Sequence, residues 1–461
     1  MKPSLLIAAL LVAAPLAQAA TPVWTRLLAD PAGQSLNLAV RRGVAASPQE
    51  TAVLVRRSGA GLAPAGLIFA LSATGGELPW RVTYTASQPA APFLPQRVDV
   101  SGGNRVALIE EDNVWGPRNT ILTYAAGQMQ QAPLAGTQLP RYPGFRLHDL
   151  LSDGGGGWFV AYDDPSFNAQ PWLLWGVPRE QLPGGVRWGR SIPGCAQGVS
   201  LATELVALDT RFTAPAHITV LTRCAAPAAQ GGGTVAVHKV EPLNGQIARS
   251  RYSPLFGAGS APIVAAAALD EGRFVVDQAT AAATHTLRIV GLQGDSAALP
   301  LPPGFRVQTL VRTPAGVFAV AADPLSGSIG ALFVEAVTAT ARWIDYPSVS
   351  SLDVADLHWS GDAAGRVVAA YRDADGYVTL VGLDSDGGEL WRRVVDEVGS
   401  LAGAAIQFAP GAADDQVVLA ADVILRDGSN GVYVEQFGLE SDFDSIPWPP
   451  RGQPLPEPVR H

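Results

Sequence analysis

The chain repeats itself with a period of about fifty residues, and this repeat limits the fold more than any other feature. The segment PGFR at 143–146 recurs at 303–306, and the residues after the two copies align with one insertion. Tryptophans form a second register, with successive gaps of 56, 108, 155 and 48 residues between Trp24, Trp80, Trp188, Trp343 and Trp391. These gaps are close to one, two, three and one units of ~52 residues. Two registers with one period predict stacked, similar units.

Each unit is predicted to contain four short strands. The last complete unit contains LHWS, RVVAAYRD, YVTLVGLD and ELWRRVV, with Gly- and Asp-rich turns between them. Four strands in a repeat of this length predict an all-β, eight-bladed β-propeller of four-stranded blades, with seven blades as the alternative. The innermost strands are predicted to begin near Ser35, Arg97, Phe145, Gly198, Val264, Phe305, Val354 and Ala404.

The eighth unit supplies only three strands, AAIQFA, QVVLAA and GVYVEQF. VWTRLL at 23–28 precedes the first unit and matches LWRRVV, which is a fourth strand. We therefore expect this N-terminal strand to complete the last blade and close the ring, which removes exposed sheet edges.

Two segments, GLDSDGGELWRRVV at 382–395 and FALSATGGELPWRVTY at 69–84, resemble the PQQ-like repeat of quinoprotein-like propellers. This resemblance implies a secreted bacterial β-propeller with degenerate repeats. Quinoprotein dehydrogenases carry a vicinal cysteine pair and a calcium-bound cofactor. Since this chain has no vicinal cysteines, we expect no cofactor.

The N-terminus has the features of a secretory signal peptide. Lys2 precedes an apolar run at 5–16, and Ala17-Gln18-Ala19 fits the cleavage pattern. The run is shorter than the ~20 residues that a membrane span needs, and no lipoprotein cysteine follows it. We expect a signal peptide at 1–19, a propeller at 20–441, a Pro-rich tail at 442–461, and a periplasmic or secreted protein.

Composition limits the partners. A hydrophobic fraction of 48% with 16% charged residues excludes a disordered chain. The formal charge of −9 offers no broad basic field for nucleic acid or anionic lipid. No later run is long enough to span a membrane. We expect a monomer that binds an unidentified protein, peptide or glycan.

The two cysteines, Cys195 and Cys224, are 29 residues apart. An even cysteine count in an oxidising compartment predicts a disulfide, with two free buried thiols as the alternative. Cys195 precedes the predicted innermost strand of the fourth unit, and Cys224 ends its second strand.

No sequence motif identifies a reaction. The six histidines have no metal-ligand spacing, and neither a GxSxG elbow nor a P-loop is present. The DADG and DSDGG turns lack the six oxygen ligands of a calcium loop, so no metal site is expected.

Acidic side chains recur where second strands are predicted to end, and aromatic residues accompany them. Asp caps its own backbone in tight turns, which is the simpler interpretation. The alternative is a ring of carboxylates that binds a cation, a basic peptide or a sugar. The candidate ligand-binding residues are Glu111, Asp112, Trp115, Arg118, Asp163, Asp164, Asp277, Asp323 and Asp373.

Two functions follow as hypotheses. The first is a secreted or periplasmic, non-catalytic binding or scaffold propeller with its partner on one face of the ring, since no nucleophile–base or metal constellation is recognisable. The second is a carbohydrate-active or other hydrolase or lyase that uses carboxylates near the central channel. Hydrolysis of a glycosidic bond would require two carboxyls about 5–10 Å apart. No catalytic residue is assigned.

Overall fold

Turns rich in glycine and aspartate divide the chain into short strands, and these strands form eight blades arranged in a ring, a β-propeller. The computed structural model describes residues 24–59, 61–78, 82–86, 93–113, 116–124, 136–139, 146–164, 170–176, 186–193, 203–211, 217–224, 234–254, 263–270, 272–280, 284–350, 355–362, 365–373, 377–395, 401–411, 415–425 and 428–439. Within these ranges the secondary structure is β-strand without helix, so no helix there can cross a membrane.

The four strands of a blade run antiparallel from the centre of the ring outwards. The innermost strands are β2 (Ser35–Leu38) with β3 (Val44–Ala46), β7 (Phe93–Ser101), β11 (Arg146–Ser152), β15 (Thr203–Arg211), β19 (Ile263–Asp270), β22 (Arg306–Arg312), β26 (Ala355–Gly361) and β30 (Leu401–Pro410). The second strands are β4 (Glu50–Ser58), β8 (Asn104–Asn113), β12 (Trp158–Asp164), β16 (His217–Cys224), β20 (Arg273–Thr280), β23 (Gly316–Ala322), β27 (Val367–Arg372) and β31 (Gln416–Ile424).

The third strands are β5 (Ala65–Ser72), β9 (Gly116–Tyr124), β13 (Gln170–Gly176), β17 (Thr234–Val240), β21 (Thr284–Gly291), β24 (Ser328–Glu335), β28 (Val378–Leu383) and β32 (Asn430–Gly438). The outer strands are β6 (Val82–Thr85), β10 (Gly136–Leu139), β14 (Val186–Ser191), β18 (Ile247–Pro254), β25 (Ala341–Ser350), β29 (Glu389–Val395) and β1 (Trp24–Leu28). In the fifth blade, isolated bridges from Asp295 to Val290 and from Leu299 to Leu287 hold the outer position.

The predicted count of eight blades and the predicted closure are confirmed. Strand β1 pairs with β32 from Trp24 opposite Gln436 to Leu28 opposite Val432, so the N-terminal strand completes the eighth blade. The predicted innermost strands are found, although β7 begins four residues before Arg97 and β15 five residues after Gly198.

The hydrophobic core lies between neighbouring blades, because second and third strands such as β23 and β28 are covered on both faces. Every residue of β23 (GVFAVAA) and of β28 (VTLVGL) is buried. Between the fourth and fifth blades, Leu221 and Val237 pack against Phe274 and Val290. Strands covered on both faces are continuous apolar runs, and this explains the high apolar fraction of the sequence.

Tryptophans on outer strands dock onto residues that follow the third strand of the next blade. Trp24 of the eighth blade lies against Gly75 of the first, where an added Cβ would be 2.5 Å from the indole. The indole N–H of Trp188 donates to the Pro242 carbonyl at 2.8 Å, and that of Trp391 donates to the Leu439 carbonyl at 3.0 Å. Trp343 differs, because it packs towards the preceding, fifth blade. The tryptophans that repeat in the sequence therefore mark positions where one blade contacts another.

Candidate functional site

The innermost strand of the first blade is interrupted by a five-residue bulge at 39–43, which we call the inner bulge. Leu38 pairs with Val55 and Val44 pairs with Val53, so the whole bulge stands opposite Leu54 alone. The N–H of Ala39 donates to the Leu54 carbonyl at 3.0 Å, and the Leu54 N–H donates to the Gly43 carbonyl at 2.7 Å. A β-bulge of this kind turns side chains away from the sheet.

Both neighbouring blades hold the inner bulge. The Gln407 side chain on β30 donates to the Ala39 carbonyl at 2.7 Å and accepts a hydrogen bond from the Gly43 N–H. On the other side, the Val40 N–H donates to Pro95 and the Val98 N–H donates to Arg42, at 3.0 and 2.9 Å. The bulge therefore joins blades eight, one and two near the centre of the ring.

Charged side chains from three blades meet beside the inner bulge and form what we call the inner cluster: Arg42, Arg97, Asp99 and Asp149. Arg97 contacts Asp149 at 3.0 Å, and Arg42 lies 3.7 Å from Asp99 and 3.9 Å from Asp149. Asp99 also accepts the Ser152 N–H at 2.8 Å. The two carboxylates thus have arginine or backbone partners.

Burial sets the electrostatics of this cluster. Desolvation raises the pKa of Asp99, although the neighbouring Arg42 acts in the opposite direction. Desolvation lowers the pKa of the Arg97 guanidinium, against the attraction of Asp149. Arg41 on the bulge is exposed and adds a third positive charge close to Arg97. The inner bulge and the inner cluster together thus bring three arginines and two aspartates close to one another, in a protein whose formal charge is −9.

An apolar side chain accompanies these arginines. Val40, at the start of the inner bulge, is 62% exposed. An exposed branched apolar residue beside cations at the centre of a ring is a chemically distinct patch.

The acidic candidates predicted from sequence lie in the later half of second strands or just after them. Glu111 and Asp112 belong to β8, Asp163 and Asp164 to β12, Asp277 to β20 and Arg118 to β9, opposite Glu111, while Asp323 and Asp373 follow β23 and β27. Trp115 lies outside the described residues, as do the side chains of Glu111, Asp112, Arg118, Asp163 and Asp164.

The structure describes the side chains of Asp277, Asp323 and Asp373. Each of them contacts partners in its own blade. Asp323 accepts the Leu325 N–H at 2.9 Å and the Ser326 hydroxyl at 2.7 Å, and these bonds lower its pKa. Asp373 accepts the Tyr377 N–H at 2.9 Å and the Thr379 hydroxyl at 3.1 Å. These are the turn contacts of the simpler interpretation.

Asp277 is the exception among these acids because it is buried. Its carboxylate oxygens both lie 2.9 Å from Nδ1 of His285, and burial raises its pKa. Across the described ranges, no three His, Cys, Asp or Glu side chains are grouped to hold a metal ion.

Sequence reasoning did not find the inner bulge or the inner cluster. The segment SLNLAVRRGVAA looks like one continuous strand, and only the Arg-Arg-Gly within it marks the break. The cluster itself joins residues from three blades, and such proximity is visible only once the ring is assembled.

The chain is similar, at low sequence identity, to several solved structures. The chain is similar to BamB from Moraxella catarrhalis, with 13% identity and a TM-score of 0.41 over 87% of this chain and 100% of that one. It is also similar to the β-propeller domain of the Trilobed protease from Pyrococcus furiosus, with 9% identity and a TM-score of 0.44 over 78% and 99% of the two chains. No protein-family model and no curated protein matches the chain. Similarity this low assigns no function to the chain.

Proposed function

We propose that the chain is a secreted or periplasmic propeller that binds a partner or serves as a scaffold without catalysis. The observation that carries this proposal is the inner bulge, which presents an exposed Val40 beside Arg41 and Arg42 on a rigid ring. Residues built on fixed strands and held from both sides are already organised for binding.

The chemistry of the patch favours a protein or peptide partner with carboxylates. Val40 offers apolar contact area, and guanidinium groups form bidentate bonds with carboxylates. A sugar would call for exposed aromatic faces, whereas the described Trp172 and Trp175 are half-buried and pack between blades. The Trp175 indole N–H is already bonded to Asp153 at 2.9 Å.

The described acids also favour binding over hydrolysis. A glycosidase needs one carboxyl to donate a proton and a second one to act as base or nucleophile. Asp149 and Asp99 are engaged with arginines, while Asp323 and Asp373 cap turns. Each of these four carboxylates therefore has a structural role in the propeller.

The domain organisation belongs to the same proposal: a cleaved signal peptide at 1–19, the propeller at 20–441 and a Pro-rich tail at 442–461. Fractionation of the source cells, with N-terminal sequencing of the mature protein, tests the location. Ala20 as the first residue is the expected result, and an intact N-terminus in the cytosol would contradict it.

Substitution of Val40 tests the binding surface. Val40→Asp places a negative charge beside the patch, whereas Val337→Asp changes a side chain that is 85% exposed in an outer turn. Cross-linking in the periplasm and culture medium should identify the same partner with wild-type protein and Val337→Asp, and lose it with Val40→Asp. Equal recovery from all three would place the partner elsewhere, and turnover of a glycan by purified protein would overturn the non-catalytic role.

A further inference from the structure

A cleft lies between the fourth and fifth blades, on the side of the ring where first and second strands are joined. Its volume is about 320 Å³, within the range of small-molecule sites. Thr219, Lys239 and Arg249 of the fourth blade line one side, and Arg273 and Leu292 of the fifth blade line the other. We call it the interblade cleft.

The interblade cleft is found where other blades place the docking tryptophan. Rows of directly opposed residues cross the second, third and outer strands, and in the described ranges three of them end on a tryptophan that packs against the next blade. These rows are Phe159–Trp175–Trp188 in the third blade, Val368–Gly382–Trp391 in the seventh and Val418–Gln436–Trp24 in the eighth. The corresponding row in the fourth blade is Thr219–Lys239–Arg249. A cation therefore replaces the indole that would fill this space.

The two cations of the row are directly opposite one another on β17 and β18. Like charges in this arrangement destabilise a sheet. Both side chains are exposed, and no acidic side chain in the described ranges forms an ion pair with Lys239 or Arg249. Glu241, two residues beyond Lys239, is also exposed and makes no ion pair within those ranges. An anion in the cleft would relieve this repulsion.

Thr219 gives the second, independent observation. The residue is 1% exposed, and its hydroxyl has no hydrogen-bond partner in the described part of the chain. Buried hydroxyls are almost always bonded, because an unmet bond costs stability. Thr222 on the same strand follows this rule and bonds to His238 at 3.1 Å.

The opposite side is fixed and largely neutral. Asp270 accepts a hydrogen bond from Nε of Arg273 at 2.7 Å, and the Ala336 carbonyl binds the same guanidinium. Leu292 adds apolar surface beside it. Lys239 and Arg249 therefore supply the net positive charge, while the fifth blade supplies a rigid, partly apolar surface.

We propose that the interblade cleft binds a small organic anion, whose carboxylate or phosphate lies between Lys239 and Arg249 and accepts the Thr219 hydroxyl. Its apolar part occupies the space that the indole fills in other blades, against Leu292. This site lies apart from the inner bulge and does not depend on the proposed partner.

Titration calorimetry with benzoate and phenyl phosphate tests the site, with benzyl alcohol as the uncharged match. Both anions should bind wild-type protein at least about tenfold more tightly than the alcohol, because each charge-assisted bond is strong. Arg249→Gln and Lys239→Gln should each weaken anion binding about tenfold, and Thr219→Val should weaken it severalfold. Arg306→Gln, which removes an exposed guanidinium from β22, should change nothing.

Arg249→Trp gives a further test, in which loss of binding should be accompanied by a gain in stability. The indole should fill the cleft as in the other blades, raise the melting temperature and abolish binding of both probes. A preference for benzoate over phenyl phosphate, or the reverse, would identify the anionic group. Failure of wild-type protein to bind either anion at millimolar concentration, or unchanged binding in Arg249→Gln, would overturn the proposal.

Discussion

Single buried ion pairs join neighbouring blades. Arg105 on β8 donates to both carboxylate oxygens of Glu50 on β4, at 2.8 and 2.6 Å, and the two side chains are 0% and 4% exposed. Arg393 and Glu435 form a similar contact between the seventh and eighth blades. Each of these buried charges is stabilised by its partner. If one partner is removed, the other charge stays buried without water or an opposite charge to compensate it, which is unfavourable.

Removal of one partner should therefore be costly. We expect Arg105→Met to lower the free energy of unfolding by about 3–5 kcal/mol, since Glu50 is left buried and unpaired. The double variant Arg105→Met/Glu50→Leu should recover most of that loss. Denaturant unfolding of the two single variants and the double variant measures the coupling, and a double variant as unstable as Arg105→Met would contradict the explanation.

Asp422 makes stability depend on pH. Its carboxylate accepts the Leu38 N–H at 2.7 Å across the junction of the last and first blades, and burial raises its pKa to about 7. The folded state therefore holds the proton more tightly than the unfolded chain. This contribution to stability is complete below pH 4 and is lost as the pH rises to about 7, a change on the order of 4 kcal/mol.

Asp422→Asn should remove this dependence, because the amide mimics the protonated acid. We expect equal stability of variant and wild type near pH 4 and a more stable variant at pH 8. The pKa of His238, which burial lowers to about 4, gives an opposite slope in both proteins, so the difference curve isolates Asp422. A difference that is constant with pH would assign the effect to packing instead.

At the scale of single elements, turns fit the tryptophan of the neighbouring blade. Gly75 has φ of +76°, and its missing Cβ leaves room for Trp24. Gly33 has a similar φ of +70°, but no atom lies within 4 Å of an added Cβ. The two glycines therefore separate backbone strain from docking.

Gly75→Ala should lower the free energy of unfolding more than Gly33→Ala does. The left-handed backbone alone costs about 1–2 kcal/mol, which both variants share. Only Gly75→Ala should also displace the indole, lower the melting temperature further and change tryptophan fluorescence. Equal melting temperatures for the two variants would show that Trp24 docking contributes little.

The predicted disulfide belongs to the fourth blade. Cys224 ends β16 opposite Thr203, the first residue of β15, and Cys195 lies outside the described residues. If the bridge forms, Cys195→Ser should lower the stability of oxidised protein by about 3 kcal/mol, and reductant should do the same to wild type. Titration of two free thiols in unreduced, denatured protein would rule the bridge out.

Much of this element structure could be predicted from sequence, because turn residues and apolar runs act locally. The strands of the seventh blade follow LHWS, RVVAAYRD, YVTLVGLD and ELWRRVV closely. The inner bulge could not be predicted, since its bonds come from Gln407 and Pro95 in other blades. The interblade cleft also depends on which strand residues stand opposite each other, and register is a property of the assembled sheet.

At the scale of the whole molecule, the pairing of β1 with β32 closes the ring. Deletion of residues 20–30 removes β1 and Trp24, and leaves β32 with an unpaired edge. The lost aromatic burial alone is worth roughly 2–3 kcal/mol, and an open edge can pair with another molecule. We expect this variant to aggregate or express poorly.

Deletion of the tail from Ser445 onward is the matched control. Its Pro-rich composition predicts an extended segment, so its removal should leave the melting temperature nearly unchanged. Size-exclusion chromatography and thermal unfolding compare the two deletions. A monomeric protein of unchanged stability without residues 20–30 would mean that the ring does not need β1.

Closure by β1 also sets the order in which the molecule can be completed. Among the described strands, the first in the chain pairs with the last, and the Leu38–Asp422 bond joins residues 384 positions apart. Blades built from local hairpins can form early, but the eighth blade must wait for nearly the whole chain. Contacts of such long sequence separation slow folding. Trp24 and its strand therefore remain an unpaired edge until β32 has been made, and an unpaired edge can pair with the wrong strand in the meantime.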